Sequence, residues 1–306
     1  MTLIECVPNV SEGRRLKVVD RMASALRSVA GVRLLDSSSD PSHNRSVFTM
    51  IGDADALEEA VLALYGCAAA EIDMRRHRGV HPRFGAVDVV PFVLLAGTSM
   101  DACVALAKRV GQTLADRFSV PIFLYAEAAS AANRRHLADI RRGQFEGLAV
   151  KMTDSGWMPD FGPSRPHPTL GACAVGARRL LVAYNVNLAT TRIDVATAIA
   201  AAIRESNGGL PGVKAIGVAL PERGIVQVSV NLTNHTRTSL VDVWNAVKAR
   251  AAQHGVEAVE SEIVGLAPVA ALRGASPGEL QLTHFTPQTV LEYHLAALDA
   301  DTPPRA

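Results

Sequence analysis

The densest group of residues that could do chemistry is the stretch "HRGVHPRFGAVD", residues 77–88. Its two histidines, His77 and His81, are four residues apart, but Gly79 and Pro82 disfavour the helix on which such a pair chelates a metal. A histidine flanked by arginines has a lowered pKa, so a neutral ring that accepts a proton is favoured near pH 7. The pattern indicates either a proton-transfer site or a solvated basic loop, and the residues alone leave these alternatives even.

Two further groups of polar side chains are candidates to line a site. Asn9, Ser11 and Glu12 end a strand where a helix begins, and helix N-termini favour anions. A simple N-cap by Ser11 explains that pattern equally well. Asn185 and Asn187 lie on one face of an otherwise apolar strand. Buried amides cost free energy unless they are hydrogen-bonded, so these two bind either the protein or a ligand.

The segment "DPSHNRSV" places His43, Asn44 and Arg45 between two predicted strands. The alternative to a functional role is a tight turn whose asparagine adopts an unusual backbone angle. A cleft lined with amides, histidines and arginines suits a small ligand that carries carboxylates and an amide- or amidine-like group. No GxGxxG follows a strand, GxxxxGK[ST] does not occur, and no GxSxG forms an elbow between a strand and a helix, so nucleotide, dinucleotide and serine hydrolase chemistry lack their usual support.

The composition is that of a globular protein. The chain has 306 residues, of which 48% are hydrophobic and 20% are charged, enough for one large domain or two modest ones. Lysine and arginine total 31 against 30 aspartate and glutamate, so the net charge of +1 provides no overall field to hold a nucleic acid. The start of the sequence does not predict a signal peptide, no apolar run reaches about 18 residues, and no CxxC pair occurs. We expect a cytoplasmic protein that binds no metal, membrane or nucleic acid.

The elements that position these residues follow the same order in both halves of the chain. The first half reads as strand, helix, strand, strand, helix, strand, with Asp53 placed to cap the second helix, and a helix over 99–117 and the strand "VPIFLYA" widen its sheet. The second half repeats the order, with helices over 191–205 and 238–253 and a hairpin turning at "PERG". The stretch 141–177 between the halves is rich in glycine and proline and is interpreted as a long functional linker.

The predicted fold is therefore α/β (α+β), built from two α/β sandwich subdomains of split βαβ, ferredoxin-like order, residues 1–177 and 178–306. Each subdomain is expected to be an open sheet with helices on one face. Two such sandwiches that face each other would form a cleft, a common location for a ligand site.

The motifs taken together are similar to those of a known family. They run in that family's order from Leu3 to about Leu295: "ECVPNVSEG", "DPSHNRSVFT", "HRGVHPRFGAVDVVPF", "FLYAEAA", "RRGQFEGL", "PDFGPSRPHPTLGACAVGAR", "AYNVNL", "GLAPVAAL" and "FTPQTVLEYHL". The chain resembles the glutamate formimidoyltransferases, the formiminotransferase part of the bifunctional formiminotransferase-cyclodeaminases. Because it ends where a cyclodeaminase domain would begin, we expect the stand-alone bacterial form.

The resemblance implies transfer of the formimino group of N-formimino-L-glutamate to N5 of the cosubstrate tetrahydrofolate, with release of L-glutamate in histidine breakdown. It also implies subdomains that flank a substrate tunnel, and a homodimer. The family's catalytic histidine, in its HPR motif, falls on His81 and not on His77, and would act as general acid/base. Arg83, with Arg78 beside it, would bind a carboxylate of the substrate or of the folate tail.

The family's folate-binding segment falls on Gly162, Pro163, Ser164, Arg165, Pro166, His167, Pro168, Thr169, Leu170 and Gly171. Further residues expected to contact substrate or folate are Arg83, Asn9, Glu12, His43, Asn44, Arg45, Asn185 and Asn187. Two positions depart from the family pattern. Ser38 stands where members often have an acidic residue, and Leu170 stands where bifunctional members have tryptophan.

Three alternatives to formimino transfer stay open. A glutamate formyltransferase would use the same residues, since formyl and formimino groups differ only by O and NH. A non-catalytic folate-binding protein would keep the tunnel without turnover. An RNA-binding module is disfavoured by the balanced charge, and a steep dependence of affinity on salt would reveal it.

Overall fold

The computed structural model describes residues 3–95 and 97–300, which form two compact units, Met1–Arg178 and Arg179–Ala306. Each unit has its own sheet and its own hydrophobic core. Both combine helices and strands, and the predicted α+β class is confirmed. Across these described residues, every helix is too short or too polar to cross a membrane.

The first unit is a mixed sheet with helices on both faces. Its elements are β1 Ile4–Cys6, β2 Asn9–Val10, α1 Leu16–Arg27, β3 Arg33–Asp40, β4 Arg45–Gly52, α2 Ala54–Glu71, β5 Val87–Val93, α3 Met100–Phe118, β6 Ile122–Ala126, α4 Leu137–Arg141, α5 Gln144–Lys151 and β7 Cys173–Arg178. Across the sheet, β3 lies beside β4, then the divided strand β1 and β2, then β5, β7 and β6. The predicted strand, helix, strand, strand, helix, strand order is confirmed, as is its widening by α3 and β6.

The stretch 141–177 is not the linker that its composition suggests. It contains α5 and nearly all of β7, and β7 runs parallel to β5 and β6 between them, with Val175 opposite both Val90 and Leu124. Alanine and glycine are poor strand formers, which hides the strand "CAVGAR" in the sequence. Glycine is required at position 176, because a Cβ there would lie 2.4 Å from the ring of Tyr125.

The sheet of the first unit is covered on both faces. Helices α1, α2 and α3 pack on one face and bury Met22, Leu64 and Val110 in its main core. The other face carries a separate apolar cluster, to which α4 and α5 contribute Ile140 and Leu148. The prediction of helices on one face only is therefore wrong for this unit, because the central strands have apolar side chains on both faces of the sheet.

The second unit is an antiparallel sheet whose strand order is β11, β8, β10, β9. Its elements are β8 Val182–Leu188, α6 Ile193–Ile203, β9 Val213–Leu220, β10 Ile225–Leu232, α7 Leu240–Gln253, β11 Ala258–Val264 and α8 Leu291–Ala300. The predicted repeat of the first unit's order and the hairpin at "PERG" are both confirmed. Tyr184 and Val186 of β8 point into the core with Trp244 of α7, so the intervening asparagines lie on the opposite face.

Asp53 caps α2 as the sequence predicts, since its carboxylate accepts hydrogen bonds from the backbone N–H groups of Asp55 and Ala56. Replacing Asp53 with alanine is expected to lower the free energy of unfolding by about 1 kcal/mol, the usual value of such a cap. Asp53→Ser keeps a capping oxygen and should remain close to the wild type. Urea denaturation followed by circular dichroism measures both variants. Equal stability of the alanine variant and the wild type would contradict the capping role.

Candidate active site

Asn44 is the centre of the site because its groups join three segments of the first unit. Its Oδ1 accepts a hydrogen bond from the backbone N–H of Gly13 (3.0 Å), and its Nδ2 donates to the carbonyl of Arg78 (2.9 Å). Its own carbonyl accepts from Nε2 of His77 (2.8 Å). The residue has a φ of +50°, the unusual backbone angle that the turn predicts. One side chain thus fixes the turn after β3 against the loop that precedes β5.

The turn and the basic loop also approach closely through their backbones. Val80 N–H donates to the carbonyl of Ser42 (3.2 Å). A Cβ at Gly79 would lie 2.1 Å from the carbonyl oxygen of His43, so only glycine permits this packing. The basic loop is therefore an ordered part of the fold, and the alternative of a loosely solvated loop is wrong.

His81 has a defined tautomer. Its Nδ1 lies 2.8 Å from the carbonyl oxygen of Pro82, and its Nε2 lies 2.7 Å from the guanidinium of Arg45. A guanidinium can only donate, so Nε2 carries the lone pair and Nδ1 carries the proton. The ring of His43 lies beside it, with the two ring centroids 5.4 Å apart. His81 is thus a neutral imidazole whose basic nitrogen faces Arg45.

Electrostatics keep the His81 ring neutral. Removal from water, the positive charges of Arg45 and Arg141, and the neighbouring His43 hold the pKa of His81 well below the ordinary value of 6.5, against a smaller opposing effect of the Pro82 carbonyl. Burial and the neighbouring Arg141 likewise lower the pKa of Arg45 to about 10, although Asp88 and Asp40 oppose that shift. Arg45 remains a cation at neutral pH, so it disfavours a second positive charge on His81.

His77 and Arg83 support the loop from inside. Nδ1 of buried His77 accepts a hydrogen bond from Nε of Arg83 (3.2 Å), while its Nε2 donates to Asn44. The guanidinium of Arg83 forms a bidentate pair with Glu146 of α5, at 2.6 and 2.7 Å, and contacts Gln144 (3.1 Å). These donors are taken by the protein's own acceptors, so the carboxylate contact predicted for Arg83 requires the pair with Glu146 to open.

Sequence reasoning missed a buried ion pair below His81. Asp88 of β5, 2% exposed, accepts a hydrogen bond from the backbone N–H of Phe84 (2.7 Å) and pairs with the guanidinium of Arg141. A lone carboxylate inside the apolar run "AVDVVPF" was the available signal, since a buried charge needs a partner. The partner lies 53 residues away, which no local pattern predicts.

The polar residues Asn9, Ser11 and Glu12, in and directly after β2, are also held by contacts within the protein. Burial favours the neutral form of Glu12, but hydrogen bonds from the backbone N–H groups of Arg15 and Arg14, with the Arg15 side chain, outweigh it and lower the carboxyl pKa. Ser11 does not cap α1; its hydroxyl donates to the carbonyl of Gly85 (2.7 Å). Asn9 donates to the carbonyl of Val7 (3.0 Å).

The predicted folate segment lies directly against the basic loop. Its last residues form a tight loop in which His167 and Gly171 exchange two backbone hydrogen bonds of 2.9 Å. Leu170 is buried, and its carbonyl accepts from the N–H of Ala86 (2.9 Å). Gly171 adopts φ +71°, and a Cβ there would lie 2.1 Å from the carbonyl oxygen of Phe84. The structure thus brings this segment to the residues that follow the HPR motif.

Asn185 and Asn187 belong to the second unit, in a hydrogen-bonded network on the sheet face opposite its core. Asn185 donates to Glu262 (2.9 Å) and Asn187 donates to Glu260 (2.7 Å). Gln227 donates to the Asn187 carbonyl (2.9 Å) and joins the two pairs. Both asparagines therefore bind the protein, one of the two alternatives that the sequence left open.

The side chains gathered in the first unit line a small cavity. Its walls come from the turn, the basic loop and the strand ends: Ser11, His43, Asn44, Arg45, His77, His81, Pro82, Arg83 and Asp88. Ser38, which stands where family members often have an acidic residue, lies on β3 opposite Val47. Within residues 3–95 and 97–300, no cluster of three or more histidine, cysteine or carboxylate side chains is arranged to hold a metal ion.

Comparison with known proteins decides the family. Residues 3–178 match the N-terminal subdomain of the formiminotransferase domain, and residues 183–285 match the formiminotransferase domain itself. The chain belongs to the formiminotransferase family. The chain is 45% identical to a glutamate formimidoyltransferase of Streptococcus pyogenes serotype M1, and the match covers 96% of this chain and 98% of the relative. The resemblance inferred from the motifs is confirmed.

Two further relatives agree with that family. A glutamate formimidoyltransferase of Thermoplasma acidophilum is 45% identical, over 95% of this chain and 97% of the relative. The formimidoyltransferase-cyclodeaminase of Rattus norvegicus is 42% identical over 90% of this chain but 52% of the relative. The length of this chain therefore corresponds to that of the two glutamate formimidoyltransferases.

The structural role of Asn44 can be tested by the free energy of unfolding of its variants. Asn44→Ala removes two side-chain hydrogen bonds, one buried and one partly buried, and leaves alanine at a positive φ without them. We expect a loss of roughly 3 kcal/mol in unfolding free energy. Asn44→Gly removes the same bonds without the backbone strain, so it should be about 1 kcal/mol more stable than the alanine variant. Chemical denaturation measures all three proteins. A loss below about 0.5 kcal/mol for Asn44→Ala would contradict the role.

Proposed function

We propose that this chain transfers the formimino group of N-formimino-L-glutamate to N5 of tetrahydrofolate, giving 5-formiminotetrahydrofolate and L-glutamate. Membership of the formiminotransferase family and 45% identity to two glutamate formimidoyltransferases over nearly the whole chain support the reaction. The geometrical observation that carries it is the neutral His81 ring, with its lone pair on Nε2, at the cavity beside the segment 162–171.

We assign the removal of the N5 proton to His81. N5 of tetrahydrofolate attacks the formimino carbon, and the C=N π electrons move to the imino nitrogen, which takes up a proton. Nε2 of His81 accepts the proton that N5 must lose. For this step N5 has to replace the Arg45 N–H at Nε2, since that contact occupies the lone pair in the ligand-free site. A ring whose pKa lies below its ordinary value accepts this proton only transiently and gives it up readily.

Collapse of the tetrahedral intermediate completes the transfer. The bond between the carbon and the glutamate nitrogen breaks, its electron pair stays with that nitrogen, and a proton delivered there releases L-glutamate. A C=N bond re-forms on the carbon now bonded to N5, as the former imino nitrogen gives back the proton that it took up. Each step is a proton transfer or a change in a C–N bond, so the balance closes with tetrahydrofolate as cosubstrate and no redox partner.

The segment 162–171 is our proposed folate contact. Its support is the direct hydrogen bonding of Leu170 to Ala86, which ties the segment to the strand that follows His81. The exposed side chains of Ser164, Arg165 and Pro168 are available to a ligand. A homodimeric state stays a prediction from the family resemblance, and a cytoplasmic location stays a prediction from the sequence.

Replacing His81 with alanine is expected to lower the turnover number by about 100- to 10,000-fold, because general acid–base catalysis contributes that much. His254→Ala is the matched control, an exposed histidine at the end of α7. The assay is steady-state formation of 5-formiminotetrahydrofolate from N-formimino-L-glutamate and tetrahydrofolate.

A His81→Ala protein with wild-type turnover would rule out the assigned role of this imidazole. N-formyl-L-glutamate is assayed in parallel as donor. We expect a higher kcat/KM with the formimino donor, since its amidine is the group for which the reaction is proposed. A clear preference for the formyl donor would contradict formimino transfer while leaving the role of His81 standing.

A further inference from the structure

A second imidazole, His43, lies at the same cavity and is paired with a carboxylate. The backbone N–H of His43 donates to Oδ1 of Asp40 (2.8 Å), and its ring Nδ1 lies 3.4 Å from Oδ2 of the same residue. The His43 side chain is buried, whereas the Asp40 side chain is partly exposed. One carboxylate therefore fixes both the turn and the orientation of the ring.

The position of His43 relative to His81 is set by the packing of two loops. The turn that carries His43 is bonded to the basic loop on both sides of Gly79, through Ser42 with Val80 and through Asn44 with Arg78. The two ring centroids are 5.4 Å apart, with the ring planes inclined by 46°. The rings are therefore close enough to act on one small substrate group from adjacent positions.

The two rings have different electrostatic surroundings. His81 faces the guanidinium of Arg45, with Arg141 nearby, and both positive charges favour its neutral form. His43 instead has the carboxylate of Asp40 beside its ring, with 3.4 Å between Nδ1 and Oδ2. A positive charge on His43 in turn lowers the pKa of His81. Neighbouring titratable groups whose surroundings differ in this way are typical of an acid and a base that work together.

We infer that His43, oriented by Asp40, is a further catalytic residue: the general acid that protonates the departing glutamate nitrogen, while His81 is the base that takes the proton from N5. This inference rests on the proposed formimino transfer. The C–N bond to glutamate breaks as the His43 proton is transferred, so His43 becomes neutral and His81 becomes an imidazolium. Net proton balance is zero, and exchange with solvent returns both rings to their starting forms.

The test compares two replacements of His43 that differ in what they preserve. His43→Ala removes the ring, whereas His43→Asn retains an N–H donor for Asp40 but cannot transfer a proton at neutral pH. A general acid predicts a loss in kcat of about 100-fold or more for both variants, with KM for each substrate changed only a few-fold. A positioning role predicts recovery in His43→Asn. His254→Ala again serves as the control, and thermal melting confirms folding of each variant.

Chemical rescue separates proton transfer from packing. Imidazole added to His43→Ala is expected to restore kcat by at least about tenfold, and substituted imidazoles should restore it according to their acidity. Asp40→Asn should lose about tenfold in kcat, because the ring is retained but no longer oriented by a charge. Wild-type kcat in His43→Ala, recovery in His43→Asn, or a change confined to KM would overturn the inference.

The outcomes also separate this inference from the proposed function. If the wild type does not transfer the formimino group, the proposed function fails, and the role of His43 falls with it. If the wild type is active and His81→Ala is not, while His43→Ala keeps its kcat, only the role of His43 fails.

Discussion

Asn44 fixes the geometry on which the site depends, because its single side chain holds the turn after β3 to Gly13 and to Arg78. The backbone at this residue, with φ +50°, directs its carbonyl to His77, and Gly79 lets the two loops touch. Without this contact, His43 and Arg45 would not lie beside His81. The proposed catalytic arrangement thus depends on one turn packed on one loop.

The chemistry follows from the charges that this packing brings together. Arg45 occupies the basic nitrogen of His81 and disfavours protonation of the ring. In the proposed reaction, N5 of tetrahydrofolate replaces the guanidinium and the ring then serves as a base. Burial alone would lower the pKa of any histidine, but the arginine also decides which nitrogen is basic. Arg83 pairs with Glu146, and His77 donates to the carbonyl of Asn44. These two residues hold the basic loop in place, whereas His81 in the same loop faces the cavity.

Sequence patterns predicted the features that depend on residues close together in the chain, but not the pairs of residues that are distant in sequence. The cap at Asp53, the left-handed Asn44 and the repeated strand and helix order all depend on neighbours in sequence. The strand β7 was missed because its glycine and alanines have low strand propensity, and the Tyr125 ring that requires Gly176 is a tertiary contact. Asp88 with Arg141, and Arg83 with Glu146, join residues more than 50 positions apart. Such partners are set by the tertiary fold.

The state of the His81 ring is the most direct test of this account, and nitrogen NMR of histidine-labelled protein measures it. In the ligand-free protein at pH 7 we expect a neutral ring with its proton on Nδ1, and protonation only at a pH below the ordinary value of about 6.5. Arg45→Gln removes a positive charge and should raise that pKa. An imidazolium at pH 7, or a neutral ring with its proton on Nε2, would contradict the arrangement in which Arg45 donates to His81.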